Sequence, residues 1–158
     1  MTDHGGDLRE FERSLPMALM RARESVMRYF RPSLDDHELT EQQWRVLRAL
    51  NGSDQALSVG ELAGRTNLLG PSLSRMLVGL DERGLVRRQP GADDARRAEV
   101  SITDAGVTLV ATIAPTSEAR YRQIEAELGN ADLEHLYRLL EKVASLEGPV
   151  DIADADQP

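Results

Sequence analysis

Eighteen of the 19 basic residues in this 158-residue chain are arginine, Lys142 being the exception, and they are the side chains best equipped to do chemistry. A guanidinium carries a planar fork of donors that meets a carboxylate, a phosphate or a guanine edge with two parallel bonds. Residues 64–98 hold seven of them (Arg65, Arg75, Arg83, Arg87, Arg88, Arg96 and Arg97) against four acids. A G+C-rich coding sequence also favours arginine over lysine, so particular positions must carry the argument rather than the total. Groups for other chemistry are sparse. The absence of cysteine removes disulfides, thiolate zinc sites and cysteine nucleophiles. His4, His37 and His135 lack metal-ligand spacing. No nucleophile elbow, phosphate loop or dinucleotide fingerprint is present. The chain reads as a binding protein and not an enzyme, with no cofactor and no metal expected.

The formal charge of −8 argues against a protein that coats nucleic acid or anionic membrane by bulk charge. Its distribution matters more than its sum. Residues 64–98 carry a local excess of three positive charges and the rest of the chain a balance of −11. Any anion contact is therefore confined to one small basic face. Aromatics make up only 4% of residues, so Leu, Val, Ala and Met must do the packing. No apolar run of about 18 residues exists to span a bilayer. Residues 1–7 lack the basic and apolar regions of a secretory signal, so a reducing cytoplasm is the expected address and no membrane partner is expected.

The elements that must position the arginines are legible in the periodicity. Leu8, Phe11, Leu15, Leu19, Ala22, Val26 and Phe30 recur at helical steps, predicting a long amphipathic helix that ends before Pro32. Ser14 and Pro16 mark an alternative start, which leaves 1–13 as a flexible N-terminal arm. Thr40-Glu41-Gln42-Gln43 is a capping box opening a helix that carries Trp44, Leu47 and Leu50, stopped by Asn51-Gly52-Ser53-Asp54. Ser58-Val59-Gly60-Glu61 is a second box. Leu69-Gly70-Pro71-Ser72 then interrupts, and Leu73, Met76, Leu77 and Leu80 define a further helix closed by Gly84. Two short helices so spaced form a helix-turn-helix. Alternating segments at 86–89 and 98–102 flank a loop holding Arg96 and Arg97, which predicts a hairpin. A hairpin directly after a helix-turn-helix is a wing. Thr103-Asp104 opens a long helix that Pro115 should kink or break near residue 112, and Asn130 is the expected cap of a last helix. Residues 148–158 form an acidic tail expected to be disordered.

The expected fold is mainly α with a small β-hairpin wing. A winged helix-turn-helix, 40–102, is flanked by helical regions 14–39 and 103–147. Those end helices carry more apolar surface than a domain of about 65 residues can cover, which predicts a homodimer.

The ordered set Leu39–Arg48, Glu61-Leu62-Ala63, Pro71–Leu77, Leu80–Val86, Asp93–Arg97 and Ser101–Gly106 resembles the MarR family of bacterial winged-helix regulators, over about residues 14–147. Arg21–Pro32, the Thr40–Trp44 box and Tyr121–Ala126 look like the homoprotocatechuate degradation operon repressor subgroup. The resemblance implies a repressor of aromatic-acid catabolism genes. Its partners would be a pseudo-palindromic double-stranded operator DNA and a small aromatic acid effector that releases it. Within the same family, a coenzyme A thioester or a xenobiotic phenol is the alternative effector. A winged helix serving only as an interaction scaffold would need neither an Arg-tipped wing nor an exposed Arg75.

On the recognition helix, steps of about 100° per residue place Arg75 almost opposite the apolar stripe, with Pro71, Ser72 and Ser74 on the flanks. Arg75 can reach guanine or phosphate, and the serines can donate to phosphate beside the helix start. The competing readings are a solvated charge and simple capping. The Asp94-x-Arg96 pair matches the family's wing motif, which implies that Arg96 enters the minor groove and Asp94 holds it. Arg97, Arg87 and Arg88 are expected on phosphates or in solvent, and Arg65 and Asn67 are weaker candidates.

An aromatic acid needs a cation beside apolar walls. Arg23 lies about 60° from the centre of the first helix's apolar stripe, whereas Arg21 and Arg28 point nearly away. Arg23 is the candidate for the effector carboxylate, with Met27, His37 and Trp44 as walls or partners of the ring. The alternatives are an ion-pair role for Arg23, a loop position for His37 and plain core for Trp44.

Overall fold

The computed structural model describes residues 10–91 and 98–148. A 3-10 turn, Phe11–Arg13, precedes α1, Leu15–Asp35, and α2 follows at Glu41–Asn51. Strand β1 (Leu57–Ser58) leads into α3 (Val59–Thr66) and α4 (Gly70–Glu82). Strands β2 (Val86–Pro90) and β3 (Ala98–Ile102) come next, then α5 (Asp104–Leu128) and α6 (Asn130–Ala144). The fold is mainly α with a three-stranded antiparallel sheet ordered β1-β3-β2. Val86 pairs with Ile102 and Pro90 with Ala98 across the hairpin. β1, too short to leave a period-two pattern, adds Leu57 opposite Val100.

The chain divides into two compact units, residues 1–120 and 121–158. In the first, apolar side chains from α1 to α5 and all three strands pack into one core, with Leu47, Leu62, Leu73, Leu77 and Leu80 fully enclosed. Both capping boxes form. Thr40 Oγ1 accepts from Gln43 N while Gln43 Oε1 accepts from Thr40 N, and Ser58 and Glu61 repeat the arrangement. In the second unit, α6 has no buried residue and leaves Leu136, Tyr137, Leu139 and Leu140 exposed.

Two boundaries differ from expectation, and of the kink or break expected at Pro115 the break is absent. α1 continues through Pro32 to Asp35 rather than stopping before it. Pro32 removes one N–H, but its own carbonyl accepts from Asp36, and burial of Phe30 and Leu34 secures the last turns. α5 likewise runs unbroken through Pro115, with Ile113 and Ser117 buried on either side. Gly129, not Asn130, caps α6, because the α5–α6 turn requires a φ of 83°.

One glycine fixes how the wing meets α5. A Cβ on Gly106 would lie 2.2 Å from the Leu85 carbonyl oxygen and 2.6 Å from Ile102 Cγ1. Thr103 completes the joint, its N–H donating to Leu85 O at 3.1 Å and its hydroxyl to Gly84 O at 2.6 Å.

Candidate nucleic-acid interface

The turn between α3 and α4 is built by backbone geometry. Asn67 adopts the left-handed conformation, φ 52° and ψ 45°, and Leu68 N then reaches back to Ala63 O at 3.2 Å. Arg45 donates to the Thr66 carbonyl at 2.9 Å, satisfying a C-terminal acceptor of α3 from α2. Leu68 turns inward onto the core, and Leu69, in extended conformation, turns outward as the N-cap of α4.

α4 then divides into two faces. Leu73, Leu77 and Leu80 are enclosed, while Pro71, Ser72, Ser74 and Arg75 are all exposed on the other side. The four candidate contacts on this helix therefore share one solvent face, with no acid in the first turn. Among the described residues Arg75 forms no ion pair. The far end of α4 closes on Gly84, φ 69°, with Leu85 N on Leu80 O at 3.0 Å and Gly84 N on Asp81 O at 2.8 Å. Arg87 and Arg88 are exposed on β2, an edge strand, and Arg65 is exposed in the last turn of α3. Asp94, Arg96 and Arg97 lie outside the described residues.

The sensing candidates are placed differently. Arg23 is exposed and held by two carboxylates, Glu24 at 2.9 Å and Glu41. Arg31 grips the same pair, Glu24 at 2.6 Å and Glu41 through Nε. The four side chains tie α1 to the first turn of α2. Burial would push the Glu41 carboxyl up, but hydrogen bonds from Arg31 and Arg23 outweigh it and hold Glu41 below the ordinary carboxylate range. The hydrogen bonds that Arg31 donates to Glu24 and Glu41 raise its guanidinium above the ordinary arginine value. Met27 and His37 are half-buried, and the His37 carbonyl accepts from Arg83 at 3.3 Å. Trp44 is only 8% exposed and belongs to the core. A cavity of about 560 Å³ lies among Asp81, Arg87, Ser101, Thr103 and Asp104, and none of these four candidates lines it.

Arg31 and Glu41 were not singled out from the sequence. A signal existed, since Glu24 and Arg31 are seven residues apart and share one helical face. The reach to Glu41 is a tertiary fact.

Comparison with known proteins gives a consistent picture. The MarR family profile matches residues 37–97. The homoprotocatechuate degradative operon repressor of Escherichia coli is 40% identical over 133 residues, spanning 84% of this chain and 89% of that protein. The structure of transcriptional regulator PA4135 superposes with a TM-score of 0.80 at 36% identity, covering 85% of this chain and 98% of the other. The structure of NadR in complex with 4-hydroxyphenylacetate superposes at 0.76 with 34% identity, covering 90% and 100%.

Proposed function

The chain belongs to the MarR family, and from that premise we propose that it is a transcriptional repressor released from operator DNA by a small aromatic acid. The observation that carries this reading is the outward face of α4, where Pro71, Ser72, Ser74 and Arg75 stand exposed over an enclosed leucine row. A helix so presented enters the major groove by its N-terminal end. Residues 40–102 form the DNA-binding region. Asp94, Arg96 and Arg97 supply the wing contact, with Arg96 in the minor groove. The regulated genes belong to aromatic-acid catabolism, as the E. coli relative's name supports. Operator DNA places the protein in the cytoplasm, and no described helix is long and apolar enough to cross a membrane.

The helical regions 14–39 and 103–147 form the homodimer. Leu15, Val26, Leu136 and Leu140 supply exposed apolar surface for it. In the dimer two copies of α4 sit about 34 Å apart, on successive major grooves of a pseudo-palindrome. The effector binds beside α1 and α2, with its carboxylate on Arg23 and its ring near Met27, His37 and Trp44. The NadR complex with 4-hydroxyphenylacetate supports that class of effector. A ligand that prefers a dimer of different spacing lowers DNA affinity by its differential binding energy, typically about 1–3 kcal/mol.

Gel retardation of the DNA upstream of the protein's own gene, with and without 4-hydroxyphenylacetate, tests both halves. Retardation at low salt that the acid relieves is the expected result. No retardation sinks the repressor reading, and retardation indifferent to phenylacetates removes the aromatic-acid effector.

A further inference from the structure

We infer that Leu69 reads a thymine, packing its side chain on the 5-methyl group of one A·T pair in each operator half-site. The inference rests on the operator-binding reading above and refines it from DNA in general to one base at one position.

Leu69 is 79% exposed, the largest value for a large hydrophobic side chain among the described residues. Single exposed leucines are ordinary on protein surfaces. What sets this one apart is its place. It occupies the N-cap of α4, where Ser, Thr, Asp or Asn would each accept a hydrogen bond from the first turn and Leu accepts none. The capping boxes of α2 and α3 obey that rule in the same domain, so α4 departs from the two helices immediately before it. Its neighbour Leu68 is turned into the core. The chain thus uses two consecutive leucines in opposite directions, one for packing and one toward solvent.

The surface next to Leu69 is open as well. A Cβ added at Gly70 would meet nothing within 4 Å, and Pro71, Ser72, Ser74 and Arg75 continue the same exposed surface. An aliphatic side chain at the leading tip of a groove-reading helix has one apolar feature to recognise on a base-pair edge, the thymine methyl, which the other bases lack. Burying one methyl-sized group is worth about fourfold in affinity, and two half-sites together about 15-fold. Ser72 and Arg75 supply polar contacts that cannot provide this discrimination.

The test uses the full chain. An operator duplex is first enriched from a randomised library by the wild-type protein. Each symmetry-related pair of thymines is then replaced by uracil, which removes only the methyl group. Affinities are measured by fluorescence anisotropy at fixed salt for wild type and Leu69→Ala, with circular dichroism confirming that the exposed substitution leaves the fold intact. For one thymine pair, wild type should bind the uracil duplex about 15-fold more weakly, while Leu69→Ala binds both duplexes alike. Two results overturn the assignment while leaving operator binding standing: no thymine pair sensitive to the change, or equal sensitivity in Leu69→Ala. Failure of the wild type to enrich any duplex would overturn the operator-binding reading and this inference together.

Discussion

Arg83, the C-cap of α4, donates to the Glu38 carbonyl at 2.8 Å. A second bond reaches the His37 carbonyl at 3.3 Å. Glu38 sits at φ 53°, in the turn between α1 and α2, so the far end of the recognition helix is tied to the joint between two other helices. Arg83→Ala should destabilise the fold by about 0.5–1.5 kcal/mol, the net worth of such exposed hydrogen bonds. It should also weaken operator binding, because α4 loses a fixed anchor. Thermal unfolding and gel retardation read the two effects separately, and an unchanged melting temperature would show the tie to be slack.

Glu41 makes stability depend on pH. A carboxyl held below its unfolded value contributes stability above that value and loses it as pH falls through the folded one. The wild type should therefore lose stability in the acid range below about pH 4, as Glu41 releases Arg31 and Arg23. Glu41→Gln should be less stable at neutral pH and flatter through that range. Urea unfolding midpoints between about pH 3 and 7 measure the difference. Parallel curves for the two proteins would show that the network contributes nothing.

Gly106→Ala is expected to be severe. The new Cβ would lie 2.2 Å from a backbone oxygen, so α5 or the Gly84–Leu85 turn must move. Overpacking of this kind costs about 1–3 kcal/mol or more, and the wing should shift with it. A melting temperature within about a degree of wild type would mean that the joint yields easily.

Arg75 and Arg96 should separate base reading from groove anchoring. Arg75→Ala should weaken operator binding by about 1–3 kcal/mol and relax discrimination at one base position. Arg96→Ala should weaken binding severely while leaving the dimer intact. Anisotropy against operator and scrambled duplexes, with sedimentation to check assembly, distinguishes them. Loss of the dimer in Arg96→Ala would show that the wing has another role.

Arg23 is bonded to Glu24 and Glu41, so an effector carboxylate there must compete with both. Arg23→Ala should keep operator binding while raising the 4-hydroxyphenylacetate concentration needed for release by about tenfold or more, as expected for a lost charge-assisted bond. An unchanged release curve would move the carboxylate to another cation.

The sequence by itself determined the local structure. The Thr40 and Ser58 capping boxes, the Gly84 stop, the row Leu73, Leu77 and Leu80, and hence the outward position of Arg75, follow from bonds and periodicities that span four or five residues. Such patterns need no knowledge of the rest of the chain. The tertiary structure decided what depends on distant partners. Pro32 and Pro115 stay inside helices because packing of Leu34 and Ile113 compensates for a missing backbone bond. β1 exists because Val100 is there to pair with Leu57. Arg23 meets Glu41 across 18 residues, and Leu68 and Leu69 part company only because the core lies on one side of them. A residue's type states what it can bond to, and the folded chain decides which partner it meets.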